Sequence, residues 1–172
     1  SLPLLMPPVI IGYALLWIFS PLSPIGKIVE SIFGNSIIFT WIAASLAAAI
    51  VSLPLVVNMF RVSLLNVEPE LKNSAKTLGL NNIQIFLFII IPVTKRGLLA
   101  GIMLGFFRSL AEFGATIIVA GNIPGISQTL PLAIFTRISS GDDLGALNLI
   151  IISVTLGIIS ITINKLILSK KV

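Results

Sequence analysis

Cysteine and histidine are both absent from this chain of 172 residues, and only 10% of its residues are charged. Without those two side chains there is no disulfide, no thiolate or imidazole metal ligand and no histidine-based catalytic triad, so neither a catalytic residue nor a metal site is expected. The aspartates are Asp142 and Asp143, side by side after Gly141. They are placed to cap a following helix rather than to form the spaced pair of an intramembrane protease. No glycine-rich loop is followed by Lys and Ser or Thr, which removes phosphate-loop nucleotide chemistry. Eleven Lys and Arg outnumber six acids, yet they make no basic stripe interleaved with aromatics, so no nucleic-acid partner is expected. The N-terminus has neither a basic flank before an apolar core nor a small-residue cleavage site, so no signal peptide is expected in this stretch.

What the chain has in abundance is apolar surface, at 56% of residues. Its runs exceed the roughly 18 residues of a membrane helix, so bilayer is the natural solvent. Four spans are predicted. Leu2 to Phe19 is closed by Ser20, Pro21, Ser23 and Pro24, and covers about 27 Å at 1.5 Å per residue. Ile37 to Phe60 is rich in Ala43, Ala44, Ser45, Ala47, Ala48 and Ala49, the small residues that let membrane helices approach closely. Gly97 to Ala120 carries Gly97, Gly101 and Gly105 on one face, again a helix-contact surface. Leu144 to Leu168 is the fourth, with Lys165, Lys170 and Lys171 at its end. Arg61, Lys72, Lys76, Lys95 and Arg96 fall between spans two and three, against Lys27 and Arg137 in the other connectors. The positive-inside rule then places residues 61–96 and the C-terminus in the cytoplasm. The expectation is an all-α integral membrane protein, a bundle of about four transmembrane helices.

The connector is too polar at first to span, but it is patterned. Leu64, Val67, Leu71, Ala75 and Leu78 recur at three- and four-residue steps, predicting a short amphipathic helix. Pro69 and Glu70 suit its first turn, Lys76 its last, and Gly79 a left-handed cap. Asn81 or Asn82 starts a second helix over Ile83 to Ile91, which Pro92 is expected to stop. By periodicity alone such a helix could equally rest on lipid headgroups.

The segment Asn73-Ser74-Ala75-Lys76-Thr77-Leu78-Gly79, then nine residues, then Ile89-Ile90-Ile91-Pro92, resembles the EAA loop of ABC importer permeases. That pattern is Glu-Ala-Ala, three residues, Gly, nine residues, Ile, any residue, Leu, Pro. The resemblance implies that 61–96 is a cytoplasmic coupling-helix loop that docks on a separate ATPase, with Glu70, Asn73, Ser74, Ala75, Lys76, Gly79 and Pro92 as coupling residues. Here Asn73 stands in place of Glu and Ile91 in place of Leu. Glu70, one turn earlier, is positioned to compensate for the first.

Further segments resemble the molybdate branch: Leu2-Pro3-Leu4, Pro7-Pro8, Gly12-Tyr13, Phe39-Thr40-Trp41, Ser52-Leu53-Pro54-Leu55, Arg108 through Thr116, Gly121 through Gly125, and Gln128 through Pro131. The resemblance implies one permease domain over residues 1–172 lacking N-terminal helices, in the cytoplasmic (inner) membrane of a bacterium. Its partners would be a second permease copy, an ATPase dimer that holds ATP and Mg, and an extracytoplasmic substrate-binding protein, with no cofactor on this chain itself. The cargo would be molybdate or tungstate, with a sulfate permease as the alternative. Arg108 and Glu112, four residues apart inside a span, form either a structural ion pair or a brace for a gate. Gly114, Thr116 and Asn122 follow, and the two polar side chains either line the path or tie helices together. An ion-coupled secondary transporter would instead show internal repeats and acidic or interrupted helices near midplane, and the repeats are lacking.

Overall fold

The computed structural model describes residues 6–169, without the side chains of residues 164 and 166–169. Leu2-Pro3-Leu4, Lys170 and Lys171, which carried sequence expectations, lie outside the described residues. Every regular element among the described residues is a helix: α1 (Pro8–Phe19), α2 (Pro24–Phe33), α3 (Trp41–Leu65), α4 (Pro69–Thr77), α5 (Asn82–Leu110), α6 (Gly114–Ala120), α7 (Leu130–Ser139) and α8 (Asp143–Ser169). Helices α3, α5 and α8 are long and apolar enough to cross a bilayer, and α1 with α2 forms a pair bent by 71°.

Local signals set most ends. The Ser23 hydroxyl caps α2 by accepting from Gly26 N, and Pro24 occupies its first turn. Thr40 caps α3, which therefore starts at Trp41 rather than Ile37 and runs to Leu65, five residues past the expected Phe60. Asp142 accepts from Gly145 N at 2.9 Å and caps α8. That hydrogen bond, and then the Arg137 guanidinium beside it, hold the Asp142 carboxyl below its ordinary range.

Two expectations about the third span are corrected. The helix that Pro92 was expected to stop does not stop. Residues Phe86–Ile90 widen into a π turn, with Ile91 N donating to Phe86 O five residues back, and the helix continues to Leu110. The wider turn makes room for a ring that lacks an N–H and would clash with the carbonyl four residues before it. At the other end the span is broken: Ala111 to Phe113 leave the helix, and α6 is a separate element.

The glycines expected to form a contact face do so, against α3. A Cβ on Gly97 would overlap Ser63, one on Gly105 would overlap Val56, and Gly101 faces Met59 and Phe60. Alanines supply the rest of the close packing. The core joins α1, α3 and α6 through Ile11, Leu15, Ala43, Ala44, Ala47, Val51, Ala115, Val119 and Ala120. The seven-residue α6 is the most enclosed helix, whereas α8 rests mainly on α5 and α7 and turns many of its isoleucines outward. In a bilayer such outward apolar surface meets lipid or another membrane subunit.

Candidate functional site

Two features bear on function, a helical hairpin at one end of the bundle and the interrupted span in its interior. The hairpin is built from caps. At the end of α4, Gly79 N donates to Lys76 O and Leu80 N to Ala75 O, the two bonds of a Schellman cap, and Gly79 has φ +84°. One residue later Asn81 starts α5 with a reciprocal box: its Oδ1 accepts from Gln84 N at 2.8 Å, and its N donates to Gln84 Oε1 at 2.9 Å. Stop and start thus abut across Leu80. The turn is held on both sides by hydrogen bonds, so the path of the chain from α4 into α5 is fixed at each end.

Of the five residues expected on one helical face, Leu64 is half-buried in α3 and Val67 is buried between the helices, while on the hairpin Ala75 is buried and Leu71 and Leu78 are exposed. Helix α4 ends at Thr77, so Leu78 lies in the turn and escapes the helical periodicity. Glu70, Asn73, Ser74 and Lys76 are exposed on the outward side. Pro92 lies beyond the π turn on the same continuous helix. An apolar patch and a polar row are thereby presented together on a rigid hairpin, the arrangement a docking element needs. Replacing Gly79 with valine forces a β-branched residue into the left-handed region, at a cost of roughly 1–2 kcal/mol. Under the coupling role that the sequence resemblance implies, ATP hydrolysis by the assembly should continue while uptake falls severalfold. Gly79→Ala should lie between, and unchanged uptake in the valine variant would remove the rigid-turn account.

The interrupted span can be placed in depth by its hydrogen bonds. Ser109 Oγ lies 2.7 Å from Ser52 Oγ and donates to Ala48 O at 3.3 Å, so the end of α5 is level with the middle of α3. Phe39 N donates to Val119 O at 3.0 Å, so the end of α6 is level with the start of α3. Eight residues of α3 separate Ala48 from Thr40, about 12 Å of rise. Helix α6 therefore runs from the level where α5 ends back towards the start of α3, and the break falls level with the middle of α3.

Glu112 sits in that break and is 2% exposed. Its Oε2 pairs with Arg108 Nη1 at 2.9 Å, and its Oε1 accepts from Ala115 N at 2.9 Å. The expected pair is made, but it spans the end of α5 and the start of α6 rather than one helix face. Both carboxylate oxygens are thus engaged within the chain. Gly114 opens α6 against Pro8 and Val9 of α1. Thr116 is 1% exposed and its hydroxyl donates to Phe113 O at 2.9 Å. Asn122 donates to Thr136 Oγ1 at 2.7 Å and accepts from Gln128 Nε2 at 2.8 Å. Thr116 thus bonds within the first turn of its own helix, whereas Asn122 ties the end of α6 to α7. Ser52, Ser109 and Gln128 entered the sequence reasoning only as parts of segments of resemblance and Thr136 not at all, so their shared networks were not foreseen. Phe39 was likewise named only within such a segment, and its φ of 60°, which bends the chain into α3, was not foreseen.

Among the described residues, a helical bundle with several candidate membrane spans, one of them followed by a break, and a capped hairpin of cationic and amide side chains is the build of a multi-pass membrane subunit. The description "binding-protein-dependent transport system inner membrane component" matches residues 1–172, and the chain belongs to that family. Members are permease subunits of ABC transporters, which work with an ATPase and a substrate-binding protein. The chain is 42% identical over 165 residues to the molybdenum transport system permease protein ModB of Escherichia coli K12, covering 95% of this chain and 72% of that protein. Against ModB of Mycobacterium tuberculosis H37Rv it is 38% identical over 154 residues, 89% of this chain and 58% of the relative. The sulfate transport system permease protein CysT of Salmonella typhimurium LT2 is 34% identical over 142 residues, 83% of this chain and 51% of that protein.

Proposed function

We infer that the chain is the permease subunit of an ATP-driven importer of molybdate, with tungstate as a cargo of the same shape and charge. The observation that carries this is the 42% identity to a molybdenum permease along nearly the whole chain, against 34% to a sulfate permease over a shorter stretch. Two permease copies would enclose the path, and an ATPase dimer would dock on the α4–α5 hairpin. ATP and Mg would bind that dimer, and this chain would hold no cofactor. The hairpin and C-terminus would face the cytoplasm, since Arg61, Lys72, Lys76, Lys95 and Arg96 cluster at that end.

Nucleotide-driven closure of the ATPase would push on the hairpin. Because α5 is continuous from Asn82 to Leu110, the push travels along one rod to the mid-depth break. There Arg108, Glu112 and Gly114 would brace the joint between α5 and α6 as the importer switches access. Asn122 would hold the end of α6 to α7, and Thr116 would stiffen the first turn of α6, rather than contact cargo. Selection would rest with the substrate-binding protein, since cargo must also leave the path. The test is uptake of labelled molybdate into vesicles by the full-length permease with its ATPase and binding protein, competed by tungstate and sulfate. Tungstate should compete strongly and sulfate weakly. Sulfate competing better than tungstate would reassign the cargo.

A further inference from the structure

A cleft of about 350 Å³ opens between α4 and the first turns of α5. Its rim holds Lys72 and Lys76, one helical turn apart on α4, with the side-chain amides of Asn73 and Asn82, and its floor holds Ile85 and Phe86. No carboxylate lines it: Glu68 and Glu70 lie elsewhere on the segment. Among the described residues the ion pairs are Arg108 with Glu112 and Arg137 with Asp142, so neither lysine is neutralised from within the chain. Two ammonium groups and two amides above an apolar floor fit a side chain with a methylene stem and an anionic end. Asn73 also leaves the motif's usual acidic position uncharged, so nothing there repels an incoming anion.

We propose that this cleft receives a carboxylate side chain of the ATPase subunit, so that the docking contact places the positive charge on the permease. The proposal rests on the reading of α4 and the start of α5 as the ATPase contact and adds the charge sense of that contact. A phosphate headgroup of lipid shares the anionic chemistry, and the test separates the two.

The full-length permease in nanodiscs is titrated with its purified ATPase subunit at low and high salt, and separately mixed with vesicles containing anionic lipid. The pair Lys72→Glu with Lys76→Glu should weaken ATPase binding at least tenfold, and the pair Lys72→Gln with Lys76→Gln severalfold. The pair Lys72→Arg with Lys76→Arg should bind as the wild type does. Wild-type affinity should fall with added salt, as expected for exposed charges. Lys27→Glu, on the exposed side of α2, should leave affinity unchanged. A single carboxylate-to-lysine change on the ATPase surface should restore binding to the Glu pair. Wild-type affinity in the Glu pair, with an unchanged thermal midpoint, overturns the proposal. Loss of vesicle binding with ATPase affinity intact overturns it in favour of lipid. If residues 69–92 crosslink to the ATPase but affinity ignores the charges, only the carboxylate falls; if they never crosslink, the coupling role falls too.

Discussion

Glu112→Ala is expected to lower the thermal midpoint of the purified permease by on the order of 10 °C and to reduce molybdate uptake to background. The substitution strips two bonds at once. Ala115 N loses its acceptor in a fully buried position, which costs about 1–3 kcal/mol. Arg108 is left with an unpaired charge inside the bundle, and breaking such a pair costs about 3 kcal/mol. The lower end of the usual range applies, because the Arg108 side chain keeps 38% of its surface exposed. For a chain of this size each kcal/mol is worth roughly 2–4 °C. Glu112→Gln keeps an oxygen for Ala115 N and should lose less. Pairing Arg108→Met with Glu112→Gln removes the stranded charge and should recover most of the midpoint. If that double variant also recovers uptake, the ion pair is structural alone. If it stays inactive while folded, the pair braces the moving joint. A wild-type midpoint in Glu112→Ala would show that the carboxylate is not buried as described.

The hairpin and the break differ in how far apart their causes lie along the chain. Everything that shapes the hairpin is local: Pro69 and Glu70 open α4, Gly79 closes it, and Asn81 with Gln84 opens α5 within three residues. Such signals can be read from sequence. Signals of the same kind marked two helices that were not predicted, Ser23-Pro24 before α2 and Thr129 with Pro131 at the start of α7. Their short length and the surrounding apolar runs masked them. The break at Ala111 to Phe113 has no local marker of that strength, since no proline lies between Val93 and Pro124. It is fixed by partners far along the chain: Ser52 holds Ser109, Phe39 holds Val119, and α1 packs along α6. Arg108 and Glu112 were legible as a pair, but not as the clamp across a gap. Pro92 misled for a related reason, because its effect on the helix depended on the five residues before it adopting a wider turn.

The contact between α1 and α6 gives the second large effect. Gly12 is buried, and a Cβ added there would lie 2.5 Å from Ala115 O and 2.8 Å from Ala115 Cα. Those are backbone atoms of a helix with no rotamer to change, so α1 must withdraw from α6. Gly12→Ala should already destabilise by about 1–3 kcal/mol, the range for overpacking, and Gly12→Val by more. Because Ala115 N is also the donor to Glu112, displacing α6 disturbs the Arg108 clamp, and uptake should fall more steeply than stability. Gly157→Ala on α8 serves as the control, since nothing lies within 4 Å of the added Cβ there. It should leave uptake unchanged and raise the midpoint slightly, by the helix propensity of alanine over glycine. Wild-type midpoint and uptake in Gly12→Val would mean that α1 and α6 do not meet at that point. The mid-depth break would then lose the wall against which it is held.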